Sequence, residues 1–350
     1  MRALVTGGGG FLGRAIVERL LARGDRVRSF SRGDYPELRR LGVDVVRGDL
    51  ADRTAVVAAC RGCDVIFHVA AKAGIWGDER DYHRANVVGT ENVLAGCSAH
   101  GIARLVFTSS PSVVFDGRDQ EGVDESAPYP DRFEAAYPRT KAMAERMVLR
   151  ANGPGRATVA LRPHLIWGPR DNHLVPRIIA RSRSLRRIGQ EDKKVDSVYI
   201  DNAADAHLLA ADRLEPGAPI AGRAYFITNG EPRGLWELID GILAAAGLPP
   251  VTGRVPRGVA LCAAGVMEAI HGVFRLRNEP RLTRFLVREL STAHWFDISA
   301  ARRDLGYEPR VSIDEGLRRL RAWLNRDRPT VGVAPAPRES AGDSKECRGL

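Results

Sequence analysis

Tyr137 and Lys141 stand four positions apart in the segment YPRTK. Residues i and i+4 lie on one face of a helix, so both side chains would project side by side if this segment is helical. A free phenol is a poor proton donor at neutral pH because its pKa is near ~10, but an adjacent ammonium favours the phenolate and lowers that pKa. The spacing therefore suits an acid–base pair that protonates a carbonyl oxygen, although an exposed Tyr–Lys pair on a helix would look the same.

Hydroxyl side chains follow a predicted strand between the N-terminus and this pair. The run 104–108 is rich in β-forming residues, and Ser109 and Ser110 come directly after it. Sheets of the α/β class bind ligands beyond the carboxyl ends of their strands. A hydroxyl at this strand end could donate a hydrogen bond to the same carbonyl oxygen.

Four glycines at positions 7–10 separate a short apolar strand from a helical pattern that opens at Phe11 and Leu12. Strand, glycine-rich turn and helix is the context that a dinucleotide-binding loop requires. Gly7 permits the tight turn, Gly10 lets the backbone approach a pyrophosphate, and Gly13 lets the helix pack closely on the strand. Free N–H groups at the helix N-terminus would attract the phosphates. A flexible turn is the alternative interpretation.

Strands and helices alternate through the first half of the chain. The predicted strands are 4–5, 26–30, 43–46, 64–69, 104–108 and 158–162, and the predicted helices are 14–23, 54–59, 81–100 and 135–151. This alternation predicts an α/β fold, a Rossmann-type doubly wound parallel sheet with right-handed crossovers.

The pattern changes after Arg162. Residues 163–176 are predicted to form a proline-punctuated loop, and 230–325 are mostly helical. We predict a dinucleotide-binding domain over 1–168, to which 195–228 return, and a smaller, mainly helical substrate-binding region over 169–194 and 229–326. The segment 327–350, rich in Pro, Gly, Ser and charge, is predicted to be a disordered tail.

The composition is that of an ordinary globular protein. The 350 residues carry 53 Lys and Arg against 43 Asp and Glu, a formal net charge of +10. Because the arginines are scattered along predicted helices, and a phosphate-bearing ligand also benefits from cations, we predict no nucleic-acid binding. Five cysteines without a disulfide framework, in a chain without a signal peptide, predict a reducing, cytoplasmic location.

Two short stretches need an interpretation of their own. Cys60 and Cys63 form a CxxC without a second ligand pair, so we predict no metal site and interpret them as a helix end that leads through Gly62 into a strand. The apolar run 258–274 contains Glu268 and His271 and is short for a membrane span. We expect a buried or amphipathic helix there, with peripheral membrane contact left open.

In order and spacing, the motifs resemble the extended short-chain dehydrogenase/reductase superfamily over residues 2 to about 230. The resemblance rests on the loop 7–13, Asp49, His68-Val69-Ala70-Ala71, Asn86-Val87-Val88-Gly89-Thr90, Thr108-Ser109-Ser110, Tyr137-x-x-x-Lys141 and Arg162-Pro163. The segments 71–77, 108–115 and 161–172 are similar to the 3β-hydroxysteroid dehydrogenase branch. The resemblance continues through 225–232, 284–286 and 301–307.

The resemblance implies a role for each matching position. Ser110 would orient the carbonyl group, Tyr137 would be the acid–base residue, and Lys141 would lower its pKa and hold the nicotinamide ribose. The positions implied for cofactor binding are Gly7, Gly10, Phe11, Leu12 and Gly13 in the loop, Asp49 and Leu50 at the adenine, Ala70 and Ala71 in the turn over the cofactor, Tyr137 and Lys141, and Pro163 beside the nicotinamide.

The end of the second strand indicates which nicotinamide cofactor is used. NAD sites usually place an acid there, whereas this strand ends Ser29-Phe30-Ser31-Arg32. A guanidinium makes bidentate contacts to phosphate, so Ser31 and Arg32 predict NADPH/NADP⁺, with NADH left open. In the alternative interpretation, Arg32 is solvated and Asp34 binds the ribose.

The resemblance implies NADPH-dependent reduction of a long-chain 2-alkyl-3-oxoalkanoate to the 2-alkyl-3-hydroxyalkanoate in olefin biosynthesis. A 3β-hydroxysteroid or sterol-4-carboxylate 3-dehydrogenase is the alternative, and Phe115-Asp116 in place of tyrosine-glycine disfavours a nucleotide-sugar substrate. A non-catalytic dinucleotide-binding regulator is a further alternative, which the joint presence of Ser110, Tyr137 and Lys141 opposes.

Candidate substrate contacts are few. Ile75, Trp76, Trp167 and the run 258–274 could line an apolar pocket, and Arg170 or His164 could meet the carboxylate of a hydrophobic keto or hydroxy acid. Each apolar residue could equally belong to the core. A homodimer and a complex with neighbouring pathway enzymes are both left open.

Overall fold

The computed structural model describes residues 1–274, 276 and 278–326. The predicted tail over 327–350 and Cys347 lie outside these residues. The strands are β1 (Arg2–Thr6), β2 (Arg26–Ser31), β3 (Asp44–Arg47), β4 (Val65–His68), β5 (Arg104–Thr108), β6 (Gln120–Val123), β7 (Ala157–Pro163), β8 (Ile166–Trp167), β9 (Arg187–Ile188), β10 (Lys194–Val195), β11 (Val198–Tyr199), β12 (Arg223–Ile227), β13 (Arg233–Gly234), β14 (Arg254–Val255) and β15 (His294–Phe296).

The α-helices frame these strands. They are α1 (Phe11–Ala22), α2 (Pro36–Arg40), α3 (Arg53–Cys60), α4 (Glu79–Tyr82), α5 (Gly89–His100), α6 (Ala136–Arg150), α7 (Leu174–Arg181), α8 (Ile200–Arg213), α9 (Leu235–Ala245), α10 (Arg257–Val273), α11 (Arg284–Glu289), α12 (Ser299–Leu305) and α13 (Ile313–Arg326). A π-helical segment, His83–Val88, joins α4 to α5, and a short 3₁₀ helix, Pro111–Val114, follows β5.

Seven strands form one parallel sheet in the order β12-β7-β5-β4-β1-β2-β3. The strand order reverses at β1, which lies between β4 and β2. The carboxyl ends of β1 and β4 therefore open a crevice at a topological switch point, where such sheets bind ligands. The predicted Rossmann-type α/β fold is confirmed.

Each face of the sheet is covered by helices and is apolar. Side chains that point to one face, such as Val5, Phe67 and Val106, join a core built with α1 and α8, while Leu4, Ile66 and Leu105 join a second core with α3 and α5. Strands buried on both faces are nearly continuous in apolar residues, which is why the sequence pattern predicted them so closely.

A second, four-stranded sheet, β13-β10-β15-β6, was not predicted. This sheet pairs β6, which follows Ser110 and the short 3₁₀ helix in the chain, with β15 from the C-terminal region. These strands are only two to four residues long, too short for a period-two pattern to reveal them. The predicted loop 163–176 likewise contains β8 and the start of α7.

Helix α10 covers the run predicted to be buried or amphipathic, and the buried interpretation is wrong. Only Ala260 and Ala264 are buried, whereas Val266 and Val273 are 60% and 77% exposed. Within the described part of the chain, no helix has both the length and the apolar character needed to cross a membrane.

The cysteines of the CxxC are structural, as interpreted. Cys60 is the last residue of α3, Gly62 adopts a φ of +71°, and β4 begins at Val65. Both thiols are buried, which raises the pKa of each, that of Cys60 to about 12. Among the residues described, no group of three or more His, Cys, Asp or Glu side chains could hold a metal ion.

Candidate active site

The glycine-rich loop forms a cradle between β1 and α1. Gly7 has a φ of +71°, donates its N–H to the Phe30 carbonyl at 2.8 Å, and accepts from the Gly10 N–H at 2.8 Å. A Cβ atom at Gly13 would lie 2.1 Å from the Gly7 carbonyl oxygen, so only glycine allows this helix–strand approach. Gly10 is the N-cap of α1 and offers no side-chain cap, which leaves the first N–H groups free for phosphate oxygens. The loop has the shape a dinucleotide pyrophosphate requires.

A buried hydrogen-bonded chain holds the turn over this loop. The Thr6 hydroxyl accepts from the N–H groups of Val69 and Ala70, both at 3.1 Å, so its own proton goes to His68 Nδ1 at 2.8 Å. His68 Nε2 then donates to the Thr90 hydroxyl at 3.0 Å. Burial and, to a smaller extent, Lys141 lower the pKa of His68 to about 3, so the ring is neutral. The chain fixes the Ala70 turn predicted to cover the cofactor.

The neutral state of His68 predicts acid sensitivity. The pKa of this ring is lower in the folded protein than in the unfolded chain, so the unfolded chain binds more protons between pH 6.5 and 3. As the pH falls through this window, we expect His68 to lower the free energy of unfolding by about 1.4 kcal/mol per pH unit. Urea unfolding at pH 7, 6 and 5 should show a shallower pH slope for His68→Gln than for the wild type, by about one proton. Equal slopes would contradict the assignment.

Ser31 and Arg32 end β2 at the same crevice. Ser31 is buried and its hydroxyl has no hydrogen-bond partner, whereas Arg32 is exposed and follows it directly. Arg47 donates from Nε to the Arg32 carbonyl at 2.9 Å, so a second guanidinium lies next to this strand end. The competing acid, Asp34, is ion-paired with Arg39. An unpaired hydroxyl and two arginines suit an anionic group here.

The positions predicted at the adenine lie across the crevice. The Asp49 carboxylate accepts from the Ala51 N–H and from Arg84, both at 3.0 Å, and Leu50 is buried against α5. Tyr35 was missed by the sequence analysis. Its ring lies directly over Gly9, where a Cβ atom would come within 2.3 Å of it.

Ser110 and Tyr137 meet at the carboxyl edge of β5. The Ser110 hydroxyl lies 2.9 Å from that of Ser112 and caps the short 3₁₀ helix. Tyr137, in the first turn of α6, interacts with the Ser110 hydroxyl, which lowers the tyrosine pKa, but burial is the larger effect and raises it overall. The structure thus brings the two hydroxyls together.

Lys141 lies one turn further along α6 and is 2% exposed. Its ammonium donates to the Thr108 carbonyl at 2.5 Å and stands 4.1 Å from the centre of the Phe107 ring. Burial lowers the pKa of Lys141 to about 7, against which Glu145 raises it. The spacing of Tyr137 and Lys141 predicted that the ammonium lowers the pKa of Tyr137. Instead, burial dominates both groups, and the ammonium is directed to a backbone carbonyl.

A buried ion pair beneath Lys141 was missed, although the i+4 spacing of Lys141 and Glu145 is visible in the sequence. Glu145 is fully buried and accepts from Arg162 at 2.6 Å and from the Tyr129 hydroxyl at 2.6 Å. Arg162 is 3% exposed and immediately precedes Pro163, which is buried at the end of β7. The pair therefore ties α6 to β7, the strand that ends beside the predicted nicotinamide position.

Asn86 links the loop after β4 to α6. Its side chain accepts from the Lys72 N–H at 2.7 Å and donates to the Lys72 carbonyl at 3.1 Å and to the Thr140 hydroxyl at 3.0 Å. Asn86 lies in the π-helical segment, a form frequent at functional sites. The helix predicted over 81–100 is therefore interrupted by this π-helical segment, at the position from which the Asn86 side chain contacts Lys72 and Thr140.

The candidate substrate contacts separate into two groups. Trp167 is fully buried and donates to Ser197 at 3.1 Å, so it belongs to the core. Arg170 is 53% exposed and pairs with Glu18 of α1 at 2.7 Å, so it is already engaged away from Ser110. His164 and the half-buried Trp76, which stacks edge-on with His271 of α10 at 5.8 Å, remain candidates.

The parallel sheet, the glycine cradle at its switch point and the hydroxyl–phenol–amine set beside it define an extended short-chain dehydrogenase/reductase, a class of NAD(P)-dependent oxidoreductases. The chain belongs to the 3-beta hydroxysteroid dehydrogenase/isomerase family, whose model matches residues 4–255.

Individual relatives cover nearly the whole chain. A protein of Stenotrophomonas maltophilia named 2-alkyl-3-oxoalkanoate reductase is 53% identical over 327 residues, 92% of this chain and 99% of the relative. A protein of the same name from Shewanella oneidensis is 51% identical over 332 residues, 92% of this chain and 86% of the relative. The structure of Thermus thermophilus UDP-glucose 4-epimerase in complex with NAD superposes with a TM-score of 0.71 at 26% identity, covering 93% of this chain and 99% of that one.

Proposed function

We propose that this protein uses NADPH to reduce a long-chain 2-alkyl-3-oxoalkanoate to the 2-alkyl-3-hydroxyalkanoate, a step of olefin biosynthesis. The observation that carries the proposal is the placement of Ser110, Tyr137 and Lys141 at one strand edge beside the glycine cradle. The names of the two relatives that are 53% and 51% identical over the aligned residues support the substrate class. We also propose that residues 1–168 and 195–228 form the dinucleotide-binding domain and that 169–194 and 229–326 form the substrate-binding region. The substrate would lie between these two parts.

Each of the three side chains has a separate task in this proposal. The ketone oxygen lies between the hydroxyls of Ser110 and Tyr137, and Ser110 donates a hydrogen bond that orients it. Bound NADPH supplies the hydride to the β-carbon. Tyr137 gives its proton to the oxygen, where negative charge develops. A protonated Lys141 would hold the nicotinamide ribose. Burial of the site keeps these interactions in a low dielectric and strengthens them.

The residues of the crevice fit the cofactor. Gly7, Gly10 and Gly13 with Phe11 and Leu12 would hold the pyrophosphate at the start of α1. Asp49 and Leu50 would border the adenine, Ala70 and Ala71 would cover the dinucleotide, and Pro163 would border the nicotinamide.

NADPH rather than NADH is proposed because of the end of β2. The exposed guanidinium of Arg32 would bind the 2′-phosphate beside Ser31, whose hydroxyl is enclosed and unpaired, and Asp34 is engaged by Arg39. A hydrogen bond to a charged group contributes about 1.5–3 kcal/mol.

Replacing Arg32 with alanine should therefore raise the KM for NADPH about tenfold or more and change the KM for NADH less than twofold. Initial rates with both cofactors test this. The matched control is Arg40→Ala, another exposed arginine of the same segment, which should change neither KM. Equal effects of Arg32→Ala on both cofactors would refute the NADPH assignment.

The activity itself is tested by following NADPH at 340 nm. Because 3-oxo acids decarboxylate readily, oxidation of a synthetic long-chain 2-alkyl-3-hydroxyalkanoate with NADP⁺ is the cleaner assay. Turnover supports the proposal. Turnover of a 3β-hydroxysterol or its 4-carboxylate instead would keep the proposed mechanism and change the substrate. Tight NADPH binding without any turnover would favour a non-catalytic dinucleotide-binding regulator.

A further inference from the structure

Two histidines from distant parts of the chain form a buried pair next to the candidate active site. His164 follows Pro163 at the carboxyl end of β7, and His294 opens β15 in the second sheet. His164 Nε2 lies 2.7 Å from His294 Nδ1, and the two rings meet edge-on at 4.8 Å. The side chains are 8% and 4% exposed. The proposed hydride transfer does not use either of them.

The pair lies at the same sheet edge as Ser110. Strands β5 and β7 are parallel neighbours, with Thr108 opposite Leu161, and the Ser109 N–H donates to the Leu161 carbonyl at 2.6 Å. Ser110 and His164 are therefore the side chains that follow these two strands at one edge. Leu165, directly after His164, has a φ of +42°, a strained value for a side-chain-bearing residue that turns the chain sharply here.

The hydrogen bonds determine which ring nitrogen carries a proton. His294 Nε2 lies 2.9 Å from the Glu289 carbonyl oxygen, which can only accept, so Nε2 is protonated. A neutral His294 then accepts at Nδ1 from His164 Nε2–H. This leaves His164 Nδ1 without a proton, and no described residue donates to it. His164 is 8% exposed, and its Nδ1 atom is not fully enclosed.

We propose that His164 Nδ1 binds the carboxylate of the substrate and that the His164–His294 pair takes up one proton from solvent as it does so. The inference rests on the proposed function, since it assumes an acid substrate. Bare Nδ1 would repel a carboxylate. One added proton makes His164 Nδ1 a hydrogen-bond donor in either arrangement. If His164 holds the charge, both of its ring nitrogens carry a proton. If His294 holds the charge, its Nδ1 donates to His164 Nε2, and the one proton of His164 is on Nδ1.

The neighbouring titratable groups are compatible with this uptake. Glu289 ends α11 near His294 and Tyr137, and burial raises its pKa. Asp196 of the segment after β10 is buried, which raises its pKa to about 6, and its carboxylate accepts from the Phe296 N–H. Asp119, before β6, accepts from the Ala293 N–H at 2.8 Å. None of these groups is cationic, and Arg162, two residues before His164, is already paired with Glu145.

Burial lowers the pKa of His164 well below its ordinary value, and His294 lowers it further, so His164 is neutral at pH 8 in the free enzyme. Binding of an anion there raises that pKa and draws in a proton. Between the pKa of His164 in the free enzyme and its raised pKa in the complex, the KM of the acid should rise about tenfold per pH unit, whereas the KM of its methyl ester should stay level.

Calorimetric titration measures the uptake directly. The long-chain 2-alkyl-3-hydroxyalkanoate is titrated into the wild-type enzyme with NADPH, a dead-end complex, at pH 8 in two buffers of different ionisation enthalpy. The difference between the binding enthalpies measured in the two buffers should correspond to about one proton taken up per site. Binding without proton uptake overturns this inference and leaves the proposed function standing. Absence of acid binding together with absence of acid turnover overturns both.

Replacement of the ring is the second test. His164→Gln should reduce the ratio of kcat/KM for the acid to that for the methyl ester at least tenfold and abolish the pH dependence of the acid's KM. The matched control is His100→Gln, whose ring contacts the Val57 carbonyl between α3 and α5 and should leave the ratio unchanged. Equal losses on acid and ester would show that His164 has only a structural role.

Discussion

Replacing Tyr137 with phenylalanine should lower kcat by about 10³-fold, because it removes the group that gives a proton to the carbonyl oxygen. The ring lies in the first turn of α6 and interacts with Ser110 through its hydroxyl alone, so the variant keeps the packing. The loss should appear in kcat with a KM for NADPH within twofold of the wild type, measured from initial rates and from quenching of protein fluorescence on cofactor binding.

A second tyrosine provides the matched control. The Tyr225 hydroxyl donates to Asp304 at 3.0 Å on the edge strand β12. Tyr225→Phe removes one buried hydroxyl of the same kind and should change kcat less than twofold. If Tyr137→Phe retained a tenth or more of the wild-type kcat, another group would have to supply the proton and the assignment of Tyr137 would fail.

Replacing Glu145 with glutamine should cost about 3–5 kcal/mol of unfolding free energy, the largest stability effect we expect from one substitution in the site. Glu145 is fully buried and Arg162 is 3% exposed, so the variant leaves a buried cation without its counter-charge. Glu145 also raises the pKa of Lys141, so its loss should lower that pKa further below its present value of about 7. Urea unfolding at pH 7.5 measures the stability.

The consequence for Lys141 has its own measurement. A less basic Lys141 loses its ammonium at lower pH, so the alkaline limb of the kcat–pH profile should move to lower pH in Glu145→Gln. Glu18→Gln, which removes a partly exposed carboxylate paired with Arg170, should cost about 1 kcal/mol or less and leave the profile unchanged. The double variant Glu145→Gln with Arg162→Met should recover part of the stability, because no unpaired cation remains. A loss below 1 kcal/mol in the single variant would contradict the role of the pair.

The central part of the fold was predictable because its signals are local. Each strand of the parallel sheet is a short apolar run bounded by turn residues, and the predicted bounds agree with β5 at both ends and with β2 to within one residue. The glycine pattern 7–13 and the Tyr137–Lys141 spacing also express geometry within one turn or one helix. Such patterns are readable from the chain without any distant contact.

The second sheet and the course of α10 were not predictable in the same way. Strand β15 exists because Gln120 and His294, which are 174 positions apart, stand opposite one another. The apolar face of α10 looks like a core helix in the sequence, since hydropathy does not say whether a partner covers it. In the structure that face remains exposed at Val266 and Val273.

The sequence by itself determined the sheet, the cofactor cradle and the identity of the hydroxyl, phenol and amine, because each depends on residue types at short spacings. Only the tertiary structure decided their electrostatics and their neighbours. Burial, rather than the adjacent ammonium, controls the pKa of Tyr137 and brings that of Lys141 to about 7. The Glu145–Arg162 and His164–His294 pairs join residues 17 and 130 positions apart. Desolvation and such contacts depend on how the whole chain packs, and no local pattern encodes them.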